Sequence, residues 1–151
     1  MIPSLFLHVL SVVVWVGGMF FAYMALRPVA AAVLEPPQRL TLWAGVFGRF
    51  FPWVWASVAL ILLTGLHMLM TLGGAQAPHY IFTMLVLGVL MMLIFAHVFF
   101  SPYKKLRRAV RDEDWKAGGA ALAQIRRLIG LNLSLGLITI AVVFGGRALA
   151  A

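Results

Sequence analysis

Four stretches of this chain contain no charged side chain: Ile2 to Leu26, Phe50 to Leu72, Tyr80 to Phe100 and Leu128 to Gly146. Each holds about the 17 to 25 residues that carry an α-helix across a hydrocarbon core. Lipid offers a backbone N–H or C=O no partner, so a crossing segment must satisfy these groups internally, as a helix does. The strict alternation of membrane β-strands is missing from all four. The pattern therefore predicts an all-α fold: an integral membrane, up-and-down four-helix bundle with helices over about residues 2–30, 50–72, 79–100 and 125–148. The expected organisation is a single transmembrane domain over 1–151, with a basic connection at 101–125. Composition points the same way, because a chain of 151 residues that is 64% hydrophobic and 11% charged exceeds what a water-soluble core absorbs. The first stretch is read as a permanent helix and not a cleaved leader, since no Lys or Arg precedes it and its apolar run outlasts a leader core of about 7 to 15 residues.

The formal charge of +8 is spread unevenly over these spans. Arg27, Arg39 and Arg49 fall in or beside the first connection, and eight more basic residues, Lys104 to Arg127, fall in the third. The second connection has none, and the far end carries only Arg147. By the positive-inside rule, connections one and three are cytoplasmic and both termini face outward, as expected of a multi-pass protein of the bacterial inner (plasma) membrane. The run "YKKLRRAVRDEDWK" is then an anchor for anionic membrane lipid and not a nucleic-acid site, because its place at a helix end accounts for it. Within it Tyr103, Leu106 and Val110 recur at helical spacing, which predicts a short interfacial helix after Ser101-Pro102, broken near Gly118-Gly119. Trp43, Trp53, Trp55 and Trp115 read as interface-belt residues.

Against this background the histidines stand out, since ionisable groups inside a membrane are costly and mark functional sites. His8 lies about six residues from the outer end of the first helix and His67 about five from the outer end of the second, at a common depth for antiparallel neighbours. Two imidazoles so matched suit axial ligation of a b-type haem in a bundle core. Trp15 shares the face of His8, Gly18 offers a place for close approach of a flat ring, and Ser11 and Thr64 are candidate orienting partners. Arg147 is the candidate counter-charge for haem propionates. His79 and His97 are secondary metal candidates, with a structural bond from His97 to Asn132 as the competing expectation for the latter. This reading makes the protein a haem b-binding membrane protein in electron transfer, with a quinone or a redox partner protein, and a homo-oligomer because four helices are few to enclose a haem. No carboxylate lies inside any span and no acid–base pair is visible, so the sequence leaves turnover open, a membrane oxidoreductase being the enzyme class compatible with it.

Two other readings compete. Eight methionines supply soft thioethers suited to Cu(I), and Met68 and Met70 lie close after His67; this is the copper alternative. The third is an accessory subunit whose histidines lock helices together. Cysteine is absent, which removes disulfides and thiolate ligands.

"HVLSVVVWVGGMFF" resembles the first helix of the CopD-like bacterial copper-resistance membrane proteins and of the HemJ-type protoporphyrinogen oxidases. The resemblance extends through "LLTGLH", "FFSPYKKLRRAV" and "NLSLGLITI". Likeness to the HemJ group implies a b-type haem at His8, whereas the third-helix lysine of those proteins has no counterpart between Tyr80 and Phe100. Likeness to the CopD group implies copper transport or tolerance.

Overall fold

The computed structural model describes residues 1–150 and is helical throughout, with no strand among them. Six α-helices follow in order: α1 (Ile2–Phe21), α2 (Arg27–Val33), α3 (Pro36–Thr71), α4 (His79–Phe100), α5 (Pro102–Arg111) and α6 (Trp115–Ala150). Four continuous helical runs are long and apolar enough to cross a membrane, Ile2–Val33, Pro36–Thr71, His79–Arg111 and Trp115–Ala150, as the uncharged stretches predict. Two antiparallel pairs dominate the packing, α1 on α3 and α4 on α6.

A short π-helical turn, Ala22–Leu26, joins α1 to α2. Its cause is two residues further on: Pro28 has no N–H to donate and its ring would press on the carbonyl four residues back, so the turn before it widens. The Arg27 N–H accordingly reaches the Ala22 carbonyl, one residue beyond the usual partner. The α3–α4 link is tight, with Gly73 at φ 96° and Gly74 at φ 58°, conformations that a Cβ would strain.

The helices are longer at the basic end than the uncharged stretches alone indicate. At about 1.5 Å per residue, α3 and α6, with 36 residues each, reach well past a 30 Å hydrocarbon core. Their extensions join α5 in a second packed layer. Tyr103, Leu106 and Ala109 of α5 are buried against α3 and α6, while Lys104, Lys105, Arg107 and Arg108 face outward. The break expected at Gly118-Gly119 falls instead at Asp112–Asp114, where Glu113 takes φ 55°. Asp114 then caps α6, its Oδ1 accepting from the Ala117 N–H at 3.2 Å. Gly118 stays helical because it is a contact point: a Cβ there would sit 3.1 Å from Leu40 of α3 and 3.4 Å from Ala109 of α5.

The two layers share an aromatic core. Phe51 stacks on Phe47 with centroids 5.0 Å apart and takes edge contacts from Phe95 at 5.3 Å and Tyr103 at 4.9 Å. Trp43 is buried in this cluster and Trp55 packs on Phe95, so of the expected belt residues it is Trp53 that lies open to the surroundings.

One polar residue crosses the deep core. Asn132 of α6 donates through Nδ2 to the Met91 carbonyl of α4 at 3.1 Å, and its Oδ1 is buried without a protein donor. Interhelical hydrogen bonds in membranes contribute about 0.6 kcal/mol on average, and an orphaned acceptor costs a similar or larger amount. Asn132→Leu should therefore leave the unfolding free energy unchanged or raise it, by up to about 2 kcal/mol, which thermal melting in detergent would measure.

Candidate functional site

The antiparallel register of α1 and α3 brings Met1 beside Thr71, Ser4 beside His67 and His8 beside Thr64. On α1 these residues are spaced by three and four, so they form one stripe. On α3 the spacing is again four and three, so the stripes mesh rung by rung. The two imidazoles are thus at one end of the bundle and at similar depth, as their positions in the sequence predict.

Their partners are crossed. His67 Nδ1 is 2.9 Å from the Ser4 hydroxyl, and His8 Nδ1 is 2.9 Å from the Thr64 hydroxyl. Thr64 also donates to the Leu60 carbonyl at 2.5 Å, which fixes its hydroxyl and directs a lone pair toward His8. Thr64 therefore serves the opposite helix's histidine and not its own, and Ser11, expected beside His8, turns back to the Leu7 carbonyl at 2.8 Å. Ser4 was not singled out in the sequence, although it stands one helical turn before His8 and so shares its face. Gly65 was overlooked too: a Cβ there would lie 3.4 Å from His8 Cε1, so the ring rests against the α3 backbone.

In each ring the hydroxyl engages Nδ1, which leaves Nε2 as the nitrogen for a ligand. A hydrogen bond that fixes one imidazole nitrogen and frees the other is the usual support of a metal-ligating histidine. Soft donors accompany the pair: the Met1 sulfur lies 3.8 Å from Thr71 Oγ1, and Met68 is partly buried one residue after His67. Among the described residues no three His, Cys, Asp or Glu side chains gather, so the seam offers imidazole and thioether, not a carboxylate cage.

A haem held between His8 and His67 does not fit this geometry. The seam is closed by direct hydrogen bonds and by the His8–Gly65 contact, with no gap of macrocycle thickness. The bundle's small cavity, about 20 Å³ beside Trp15 and Asn132, and its large cleft, about 290 Å³ beside Arg39 and Trp43, have no histidine in their walls. Trp15 is buried edge-on against Phe95, with ring centroids 6.2 Å apart. Gly18 is covered by the Phe50 ring, which occupies the space a flat ligand would need. Arg147, His79 and His97 are all exposed, and none takes part in the hydrogen bonds of the seam. The expected His97–Asn132 bond does not form either, because Asn132 is turned to Met91.

Four apolar helices in two antiparallel pairs, with an imidazole seam at one end and a basic layer at the other, define a multi-pass integral membrane protein of the inner membrane. Within that class the chain belongs to the CopD family, copper resistance protein D, whose model matches residues 44–145. The matched segment takes in His67, Met68 and all of α4 and α5, and it begins after α1 and His8. No curated protein and no solved structure matches the chain.

Proposed function

We propose that the protein handles copper at the membrane, taking Cu(I) as cargo at the outer end of the α1–α3 seam. The observation that carries this reading is the crossed pair of hydroxyl–imidazole bonds, which orients two histidines on a seam whose outermost rung is Met1 against Thr71. Cu(I) is a soft ion that accepts imidazole and thioether donors, and harder divalent ions gain little from thioethers. Membership of a family described as copper resistance protein D supports the same cargo. His8, His67, Met1 and Met68 are the proposed donors, and Ser4 and Thr64 set the ring orientations.

Copper content of cells expressing the chain tests the proposal. At equal external copper, cells with the wild-type protein should differ from cells with an empty vector in total copper, and the difference should not extend to zinc or manganese. Identical copper content and identical growth in toxic copper would overturn the copper reading.

A further inference from the structure

At the opposite end from the histidine seam, a cleft of about 290 Å³ opens between the π-helical turn, α2, α3 and α6. Three arginines border it: Arg27 on α2, Arg39 on α3 and Arg126 on α6. Its walls are apolar and aromatic, with Tyr23, Trp43 and Trp115 among them. Three cations border one cleft, and none of them is paired with a carboxylate among the described residues. The chain has four acidic residues, Glu35, Asp112, Glu113 and Asp114, and the one ion pair among the described residues joins Arg111 to Asp112.

Two of the arginines are also held in place. The π turn at Ala22–Leu26 places Tyr23 and Arg27 on the cleft, and such turns are frequent at functional sites. The Arg27 guanidinium stacks 4.3 Å from the Tyr23 ring, and its Nε donates to the Tyr23 carbonyl at 3.3 Å. Arg39 Nη1 donates to the Leu34 carbonyl at 3.5 Å. Arg27 and Arg39 are thus each held at one nitrogen, and all three arginines keep N–H groups for a ligand, in the planar fork that suits phosphate oxygens.

Depth selects the ligand. The uncharged run ends at Leu26, and its 25 residues from Ile2 rise about 37 Å as helix, which puts Arg27 at headgroup level and not in the hydrocarbon. The cleft volume lies near the lower end of small-ligand sites, about 300 Å³, and so admits a headgroup while acyl chains lie along the outer apolar surface. Basic pockets between helices at this face of a membrane protein are where anionic headgroups are bound. We infer that Arg27, Arg39 and Arg126 form a binding site for the phosphate headgroup of an anionic phospholipid.

The test uses the full chain in mild detergent, titrated with cardiolipin, with phosphatidylcholine and with inorganic phosphate, and read by native mass spectrometry together with thermal melting. Wild type should retain cardiolipin in preference to phosphatidylcholine and melt higher with it. The triple variant R27Q/R39Q/R126Q should bind cardiolipin more weakly by at least about tenfold, the loss of one charge-assisted bond. Arg126→Gln alone provides a variant whose folding is not at stake, since that side chain is exposed and makes no internal hydrogen bond; it should show part of the same loss. A control with Arg147, exposed at the far end of α6 and outside the cleft, changed to Gln should bind like wild type. Equal cardiolipin binding by wild type and both cleft variants would overturn the site, as would a control variant that loses as much. Inorganic phosphate matching the lipid's effect at equal concentration would overturn the lipid assignment and make the ligand a soluble anion.

Discussion

Leu106→Asp should detach α5 from the bundle and leave the four spans in place. Leu106 is fully buried, between the outward-facing basic side chains of α5 and the extended ends of α3 and α6. Truncating a buried leucine alone costs about 2–5 kcal/mol. Aspartate adds a carboxylate to an apolar contact with Ile125, Leu40 and Tyr103 for neighbours in the same core, where burial of an unpaired charge is more costly still. Limited proteolysis should report the change as new cleavage after Lys104 to Arg111, and far-UV circular dichroism should lose less helix than unfolding of a span would remove. Unchanged protease resistance would mean that α5 is held by the membrane surface and not by its packing.

Changing both histidines, His8→Ala with His67→Ala, should abolish tight Cu(I) binding, and the supporting hydroxyls should show a graded effect. Loss of a residue that orients a metal-bound imidazole typically costs about 10- to 100-fold in affinity. Thr64→Val keeps the shape of the side chain and removes the hydroxyl from His8, so it isolates that contribution. Thr64 donates to Leu60, so valine also removes a local helix contact, but one of the kind that contributes little to stability. Competition against a chromophoric Cu(I) chelator would order the proteins as wild type, then Thr64→Val, then the double-alanine variant. Equal affinity in all three would remove the seam from copper binding, whatever the cell phenotype.

The spans were legible in the sequence because they depend on one local property, the absence of charge over a membrane's thickness. The common depth of His8 and His67 followed from the same counting. What lies between them did not, because it depends on rotation of α1 about its axis and on register to within one residue. Ser4, with its single hydroxyl in an apolar helix, and Gly65, hidden between Thr64 and His67, acquire meaning only when α1 and α3 are brought together. The same limit applies to Gly18, which reads as an open surface until Phe50 is placed on it.

At the basic end the misjudged boundary has a plain cause. Two adjacent glycines are a strong local signal for a break, yet Asp114 caps α6 before they are reached, and contact with Leu40 and Ala109 rewards a residue without a side chain at 118. Tertiary packing overrode propensity there. It also drew Trp43 into the aromatic core, where its position near the membrane face had suggested a belt.

Copper and haem make opposite demands on the α1–α3 seam, and the purified wild-type protein separates them in one preparation. Grown in medium replete in both copper and haem precursors, and purified in detergent, it should contain copper by elemental analysis and show no Soret absorption. A Soret band that disappears in His8→Ala, with no copper above the level of the buffer, would contradict the account at its centre.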